Sequence, residues 1–255
     1  MKVFITGVSS GIGREIAKEL TDAGHAVWGM SRRKELLEEL DKELPSGSFF
    51  YTRGDVSQTE DVKRVLAEME EKNFLPDVVV LNAGVFREDL VPGYNRIVFE
   101  EVFDINFHGA MVWVDVFLDK FLARSSGQFI AISSTSAFRP DSRRASYSAS
   151  KAALSLAFRS LALRYRANNI FFTIIYFGPV ATPMSVHVLR DEKGRIRSKG
   201  FFVAEPVKAA RAVLKAIAGK KPVYFFPYFV TLLFRLLAFL PDRTFAGLTK
   251  KFRKD

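Results

Sequence analysis

Short apolar runs alternate with amphipathic helical stretches along this chain, and that alternation constrains the fold more than any single motif does. Val3 to Thr6 leads through a glycine-rich turn into a helix that carries Ile16 and Leu20 and closes at Gly24. Ala26–Met30, Phe49–Thr52, Asp77–Leu81, Gln128–Ile132, Ile170–Tyr176 and Val223–Phe226 read as further strands, with helical periodicity between them. Asp77 to Leu81 is apolar almost throughout, as a parallel strand covered on both faces must be. Such a pattern predicts an α/β fold: a doubly wound parallel sheet of seven strands with right-handed crossovers. At 255 residues the chain is long enough for one domain of this kind, and no Pro-, Gly- or Ser-rich linker divides it.

Local signals sharpen the outline. Ser31 sits where it can cap the helix around Glu35 to Leu40, and Ser57-Gln58-Thr59-Glu60 reads as a capping box before Val62, Val65, Leu66 and Met69. Phe99 to Leu122 reads as one long helix carrying Asn106. A later helix places Leu154, Phe158, Leu161 and Tyr165 on one face and Leu156 and Leu163 on another, which implies either a second core contact or a subunit interface. Tyr147 and Lys151 lie one turn apart on this helix, so a phenol and an ammonium can act on one centre, and a cation close by would lower the phenol's pKa.

Composition excludes several classes. With no cysteine there is no disulfide or thiolate site, and His25, His108 and His187 are too scattered for ligand spacing, so no metal is expected. The net charge of +10 suits an anionic partner, but the basic residues are not interleaved with aromatics as in a nucleic-acid module, and no nucleic acid is expected. The first residues enter a strand directly, with no charged region, apolar stretch and cleavage site, which predicts a cytoplasmic protein.

Each polar or glycine-rich motif falls just past the carboxyl end of a strand, where doubly wound sheets bind ligands. Thr6-Gly7-Val8-Ser9-Ser10-Gly11-Ile12-Gly13, Asn82-Ala83-Gly84, Asn106, Ser134 and Tyr147-x-x-x-Lys151 occur in this order. In these motifs the chain resembles the short-chain dehydrogenase/reductase family over about residues 2 to 220. The resemblance implies a dinucleotide on the first loop, with Gly7, Ser9, Ser10, Gly11, Ile12 and Gly13 around its pyrophosphate at a helix N-terminus. It implies Asp55 and Val56 at the adenine, and Asn82, Ala83 and Gly84 beside the adenosine ribose. Val180 and Thr182 would stand at the carboxamide, and Tyr147 and Lys151 at the nicotinamide end. Catalysis would fall to Asn106, Ser134, Tyr147 and Lys151: Tyr147 as acid or base, Lys151 lowering its pKa, Ser134 donating to the substrate oxygen and Asn106 holding a proton relay. The second strand ends in Met30-Ser31-Arg32-Arg33 with no carboxylate, which predicts NADP(H), Arg32 being the main partner of the 2′-phosphate and Ser31 and Arg33 assisting.

Two departures stand out. Phe177 occupies a position where the family has Pro, and is read as part of a Phe-rich site wall that continues through the 183 to 203 loop, with its charged stretch Leu189 to Lys199, and the apolar tail. In place of a glycine-rich tail comes the apolar run Val223 to Leu240, interrupted by Pro227 and Arg235 and short of the roughly 20 residues that span a bilayer. Thr231, Arg235 and Asp242 share a narrow stripe, leaving a wide apolar face. That face has four destinations: the domain itself, the roof of a substrate site, a second subunit, or a membrane interface with Lys250, Lys251, Arg253 and Lys254 at the headgroups. Residues 1–222 thus read as the catalytic dinucleotide-binding part and 223–255 as the last strand and an apolar, basic extension of the same domain. The leading expectation is NADPH-dependent, reversible reduction of an apolar ketone or aldehyde by a homodimer or larger homo-oligomer. Alternatives are a non-catalytic dinucleotide-binding sensor or scaffold, and a lipid-carbonyl reductase docked on a membrane by its tail.

Overall fold

The structure, a computed structural model, describes residues 1–90, 92–185 and 203–244. Its strands are β1 (Lys2–Thr6), β2 (Ala26–Ser31), β3 (Phe49–Arg53), β4 (Val78–Leu81), β5 (Gly127–Ser134), β6 (Ile170–Phe177) and β7 (Val223–Phe226). They form one parallel sheet of seven strands in the order β3-β2-β1-β4-β5-β6-β7, the doubly wound α/β architecture expected from the alternation. The order reverses between β1 and β4. In doubly wound sheets the loops on either side of such a point diverge, and ligands bind in the crevice outside the carboxyl ends there.

Helices cover both faces because neighbouring residues of each strand point oppositely. Val3 and Ile5 pack with Ile16, Leu20, Leu37, Leu40 and Val213, from α1 (Gly11–Asp22), α2 (Lys34–Glu43) and α7 (Pro206–Gly219). Phe4 and Val79 turn the other way, toward Val65, Trp113, Phe117 and Phe158. These come from α3 (Thr59–Glu71), α5 (Gly109–Ala123) and α6 (Ala145–Tyr165). Much of the abundant Phe fills this second layer: Phe4 meets Trp113 at 4.5 Å between ring centroids, and Phe129 stacks on Phe172 at 4.8 Å.

Several local expectations are corrected. The capping box does not form: α3 is preceded by Gln58 and has no side-chain cap. The Asp61 carboxylate instead accepts from the Asp55 amide at 2.8 Å, a bond that holds its pKa below the usual range, and Ser57 donates to Asp55 at 2.8 Å. Ser31 is the last residue of β2 rather than a cap, since Arg33 takes the cap position of α2. The long central helix is broken into α4 (Arg96–Phe103), a π turn at Asp104–His108 and α5. On α6, Leu156 and Leu163 are exposed, so among the described residues the second apolar face makes no core contact. Phe177 is buried against Phe226 at 5.8 Å and belongs to the core, not to a site wall. The stretch Leu189 to Lys199 lies outside the described residues.

The C-terminal helix α8 (Tyr228–Leu237) divides its wide apolar face: Val230 is buried on the domain, Leu232, Phe234 and Leu237 are half-buried, and the rest is left uncovered. Of the polar stripe Thr231 alone turns inward, while Arg235 and Asp242 stay exposed. Thr231 is buried and donates to Pro227 O at 2.8 Å and Tyr228 O at 3.0 Å, so its hydroxyl needs no water. Tyr228, Phe229, Leu233 and Leu236 point outward. Among the described residues, no helix is long and apolar enough to cross a membrane.

Candidate active site

β1 delivers the glycine-rich loop to the carboxyl edge. Gly7 and Gly11 adopt φ of 72° and 59°, which a side chain resists. A Cβ on Gly13 would lie 2.4 Å from both Gly7 O and the Asn82 amide nitrogen, so the loop has no room for one. Asn82 holds it there, donating to Thr6 O at 3.1 Å and Gly7 O at 2.9 Å, while Thr6 Oγ1 accepts from the Asn82 and Ala83 amides. Thr182 closes the far side, its methyl 3.2 Å from a Cβ built on Gly11, and Val180 is buried and bridges to Ala204. Ile12 packs on the α1 side of the sheet.

The first turn of α1 carries no acid, and Ser10 makes no side-chain cap bond. Its leading amides and the positive end of its dipole therefore face the loop, which fits a bound pyrophosphate. Basic groups gather beside it. Arg33 donates to Ser9 Oγ at 2.8 Å and Ser10 Oγ at 2.7 Å, and Ser31 donates to Ser9 at 2.6 Å. Arg32 instead pairs with Asp55 at 3.4 Å on an exposed rim. Thus Arg33, expected only to assist, is the arginine in contact with the loop. Val56 is buried, with a methyl 2.6 Å from a Cβ built on Gly109, so it supports the base of the pocket.

At the other end, β5 and α6 meet. Ser134 is the last residue of β5; its oxygen accepts from the Ser136 amide at 3.1 Å and its hydroxyl points to Ser136 Oγ at 3.2 Å. Lys151 is buried and donates to Ile132 O at 2.8 Å; burial pulls its pKa down from 10.5 to about 8. Tyr147 meets the ring of Phe86 edge-on at 4.7 Å. Burial pushes the Tyr147 pKa up, while Ser134's hydroxyl and the charge of Arg144 pull it down. The expectation that Lys151 lowers this pKa is therefore corrected. The protein's own groups leave the phenol raised, because desolvation outweighs its polar neighbours and Lys151's ammonium bonds to a backbone carbonyl.

Asn106, in the π turn, is fully buried: it accepts from Val85 N at 2.7 Å and donates to Val85 O at 3.0 Å and Ser150 Oγ at 3.2 Å. A Cβ on Gly84 would lie 3.1 Å from the Asn106 carbonyl oxygen and 3.5 Å from Lys151 Nζ. Gly84 thus lets the loop after β4, Asn106 and Lys151 converge. Ser133 bonds to Ser155 at 2.8 Å beneath the site.

Two neighbours escaped sequence reading. Arg144 is buried, lies 4.4 Å from the Phe86 centroid and pairs with Glu88 at 3.0 Å and Asp141 at 3.2 Å. Its place one turn before Tyr147 was visible, but its burial was not. Phe86 carried no signal beyond standing two residues after Gly84.

The family model described as short chain dehydrogenase matches residues 1–193. The chain is 32% identical to "11-beta-hydroxysteroid dehydrogenase-like 3" of Arabidopsis thaliana, over 98% of this chain and 81% of that one. Its fold matches a serine dehydrogenase solved with NADP+ (TM-score 0.80, 23% identity, 89% and 94% of the chains covered). It also matches a short-chain dehydrogenase from Sphingobium yanoikuyae solved with NADPH (TM-score 0.79, 21% identity, 99% and 96% covered).

Proposed function

This chain belongs to the short-chain dehydrogenase/reductase family, an oxidoreductase family, and from that premise we propose that it reduces an apolar ketone or aldehyde with NADPH, reversibly. The observation that carries the reading is the meeting of Ser134, Tyr147 and Lys151 at one end of a crevice whose other end is a glycine loop contacted by Arg33. NADPH, when bound, supplies the hydride. Ser134 donates a hydrogen bond to the carbonyl oxygen and steadies the negative charge that grows there. Tyr147 passes its phenolic proton to that oxygen, giving the alcohol, and a raised pKa suits a group that must hold its proton until then. Lys151 would hold the nicotinamide ribose of the bound nucleotide. Asn106 positions Lys151's surroundings through Val85 and Ser150.

NADP(H) is supported by two arginines and no carboxylate after β2, and by two neighbours of the same fold solved with that nucleotide. Arg33 and Arg32 together would take the 2′-phosphate, with Ser31 assisting. A hydroxysteroid-dehydrogenase-like relative supports an apolar substrate. Exposed Leu156 and Leu163 on α6 support pairing with a second copy. The test is NADPH oxidation across short, aromatic, steroid-like and long-chain carbonyls. Turnover of apolar carbonyls that Tyr147→Phe abolishes supports the reading, and equal turnover by that variant removes Tyr147 from the mechanism.

A further inference from the structure

One group of large apolar side chains belongs neither to the two core layers nor to the site. Tyr228, Phe229, Leu233, Leu236 and Phe239 stand exposed on the outer side of the C-terminal segment, Phe229 at 73% and Phe239 at 84%. Residues 229, 233 and 236 follow helical spacing, so they make one stripe rather than scattered surface leucines. The stripe is held firmly. Arg139, nine-tenths buried, pairs with Asp242 at 2.5 Å, donates to Leu240 O at 2.7 Å and also reaches Leu237 O. Arg235 lies back over the Phe225 ring at 5.4 Å. Val230 and Thr231 face the domain, and the exposed rings and leucines form a face that the described domain leaves uncovered.

We propose that this face docks on an anionic lipid surface, α8 lying in the plane of the interface with its rings and leucines among the acyl chains. Charge decides between occupants. Arg243 is exposed beside the stripe, and the sequence continues with Lys250, Lys251, Arg253 and Lys254 against a single further acid, Asp255. A second copy would bring another net +10 and the same basic C-terminal sequence, whereas anionic headgroups complement both. At 10 residues α8 is too short to span a bilayer, which needs about 20. The inference rests on this helix and is independent of the proposed reaction.

Flotation of the full chain with phosphatidylcholine vesicles, with and without phosphatidylglycerol, tests it. The wild type should float with anionic vesicles, and roughly tenfold less with neutral ones or in about 0.5 M salt. A Phe229→Glu/Leu236→Glu variant should lose flotation about tenfold or more while its melting curve stays that of the wild type. Tyr147→Phe should float normally, which separates docking from the reaction. Failure of the wild type to float, or undiminished flotation by the double variant, would overturn the proposal. So would a concentration-dependent dimer, seen by sedimentation, that the double variant abolishes without any vesicle binding.

Discussion

The two ends of the crevice are built differently. At the catalytic end, Lys151, Asn106 and Ser133 are buried and tied largely to backbone atoms: Ile132 O, Val85 N and O, and Lys151 O. At the adenosine end, exposed Arg32 and Arg33 meet Asp55, Ser10 and the buried Ser9 side chain to side chain. Backbone anchors in a dry setting hold a few atoms rigidly and shift pKa values. Exposed side-chain pairs are screened and individually weak. A reacting centre needs the first arrangement, whereas a nucleotide phosphate shared among several groups tolerates the second.

If that contrast holds, substitutions at the catalytic end should cost far more. Tyr147→Phe is expected to lower kcat by roughly a thousandfold or more, about 4 kcal/mol, with nucleotide affinity kept; stopped-flow NADPH oxidation and fluorescence titration would separate the two. Comparable kcat in the variant would break the comparison at its strongest point.

Next comes the pH dependence of stability. Lys151's pKa is lowered from 10.5 to about 8, so below pH 8 it is charged in both states and the full burial penalty applies. Between about 8 and 10.5 the unfolded chain binds the extra proton, and stability should rise with pH by up to roughly 3 kcal/mol. Tyr147 acts in the opposite sense. Its pKa is raised above 10, so stability should fall once the unfolded phenol ionises past pH 10. Urea melts from pH 7.5 upward should therefore show a rise that Lys151→Met removes and a later fall that Tyr147→Phe removes.

Asn106→Ala strips partners from Val85 N and O and should cost about 2 kcal/mol in a urea melt, with kcat falling alongside. The smallest effects belong to the other end. Arg33→Ala should raise KM for NADPH about tenfold and leave the value for NADH nearly unchanged. Arg32→Ala, losing only an exposed pair 3.4 Å long, should raise it by about threefold. The reverse ranking would return the main phosphate role to Arg32.

Much of this was legible along the chain. Each of the seven strands announced itself by an apolar run, and Tyr147 and Lys151 by one turn of helix. The loop glycines were legible too, because a positive φ at Gly7 and Gly11 is demanded by the turn itself. What stayed hidden was set by partners distant in sequence. Asp61 bonds to Asp55 rather than completing a cap with Ser57, Arg33 and not Arg32 meets the loop, and Arg144 is buried over Phe86.

By itself the sequence determined the order of strands and helices, the sheet class and the set of residues at its carboxyl edge. Those follow from local periodicity and from the need of parallel strands for helical crossovers. Only the tertiary structure decided which way each amphipathic element faces. Periodicity shows that α8 has a narrow polar stripe and a wide apolar face, but not which part of that face meets the domain. Arg139, about a hundred residues away in sequence, holds the helix end through Asp242 and Leu240, and Thr231 satisfies its hydroxyl inside the helix, so Val230 and Thr231 meet the domain while Phe229, Leu233 and Leu236 face outward.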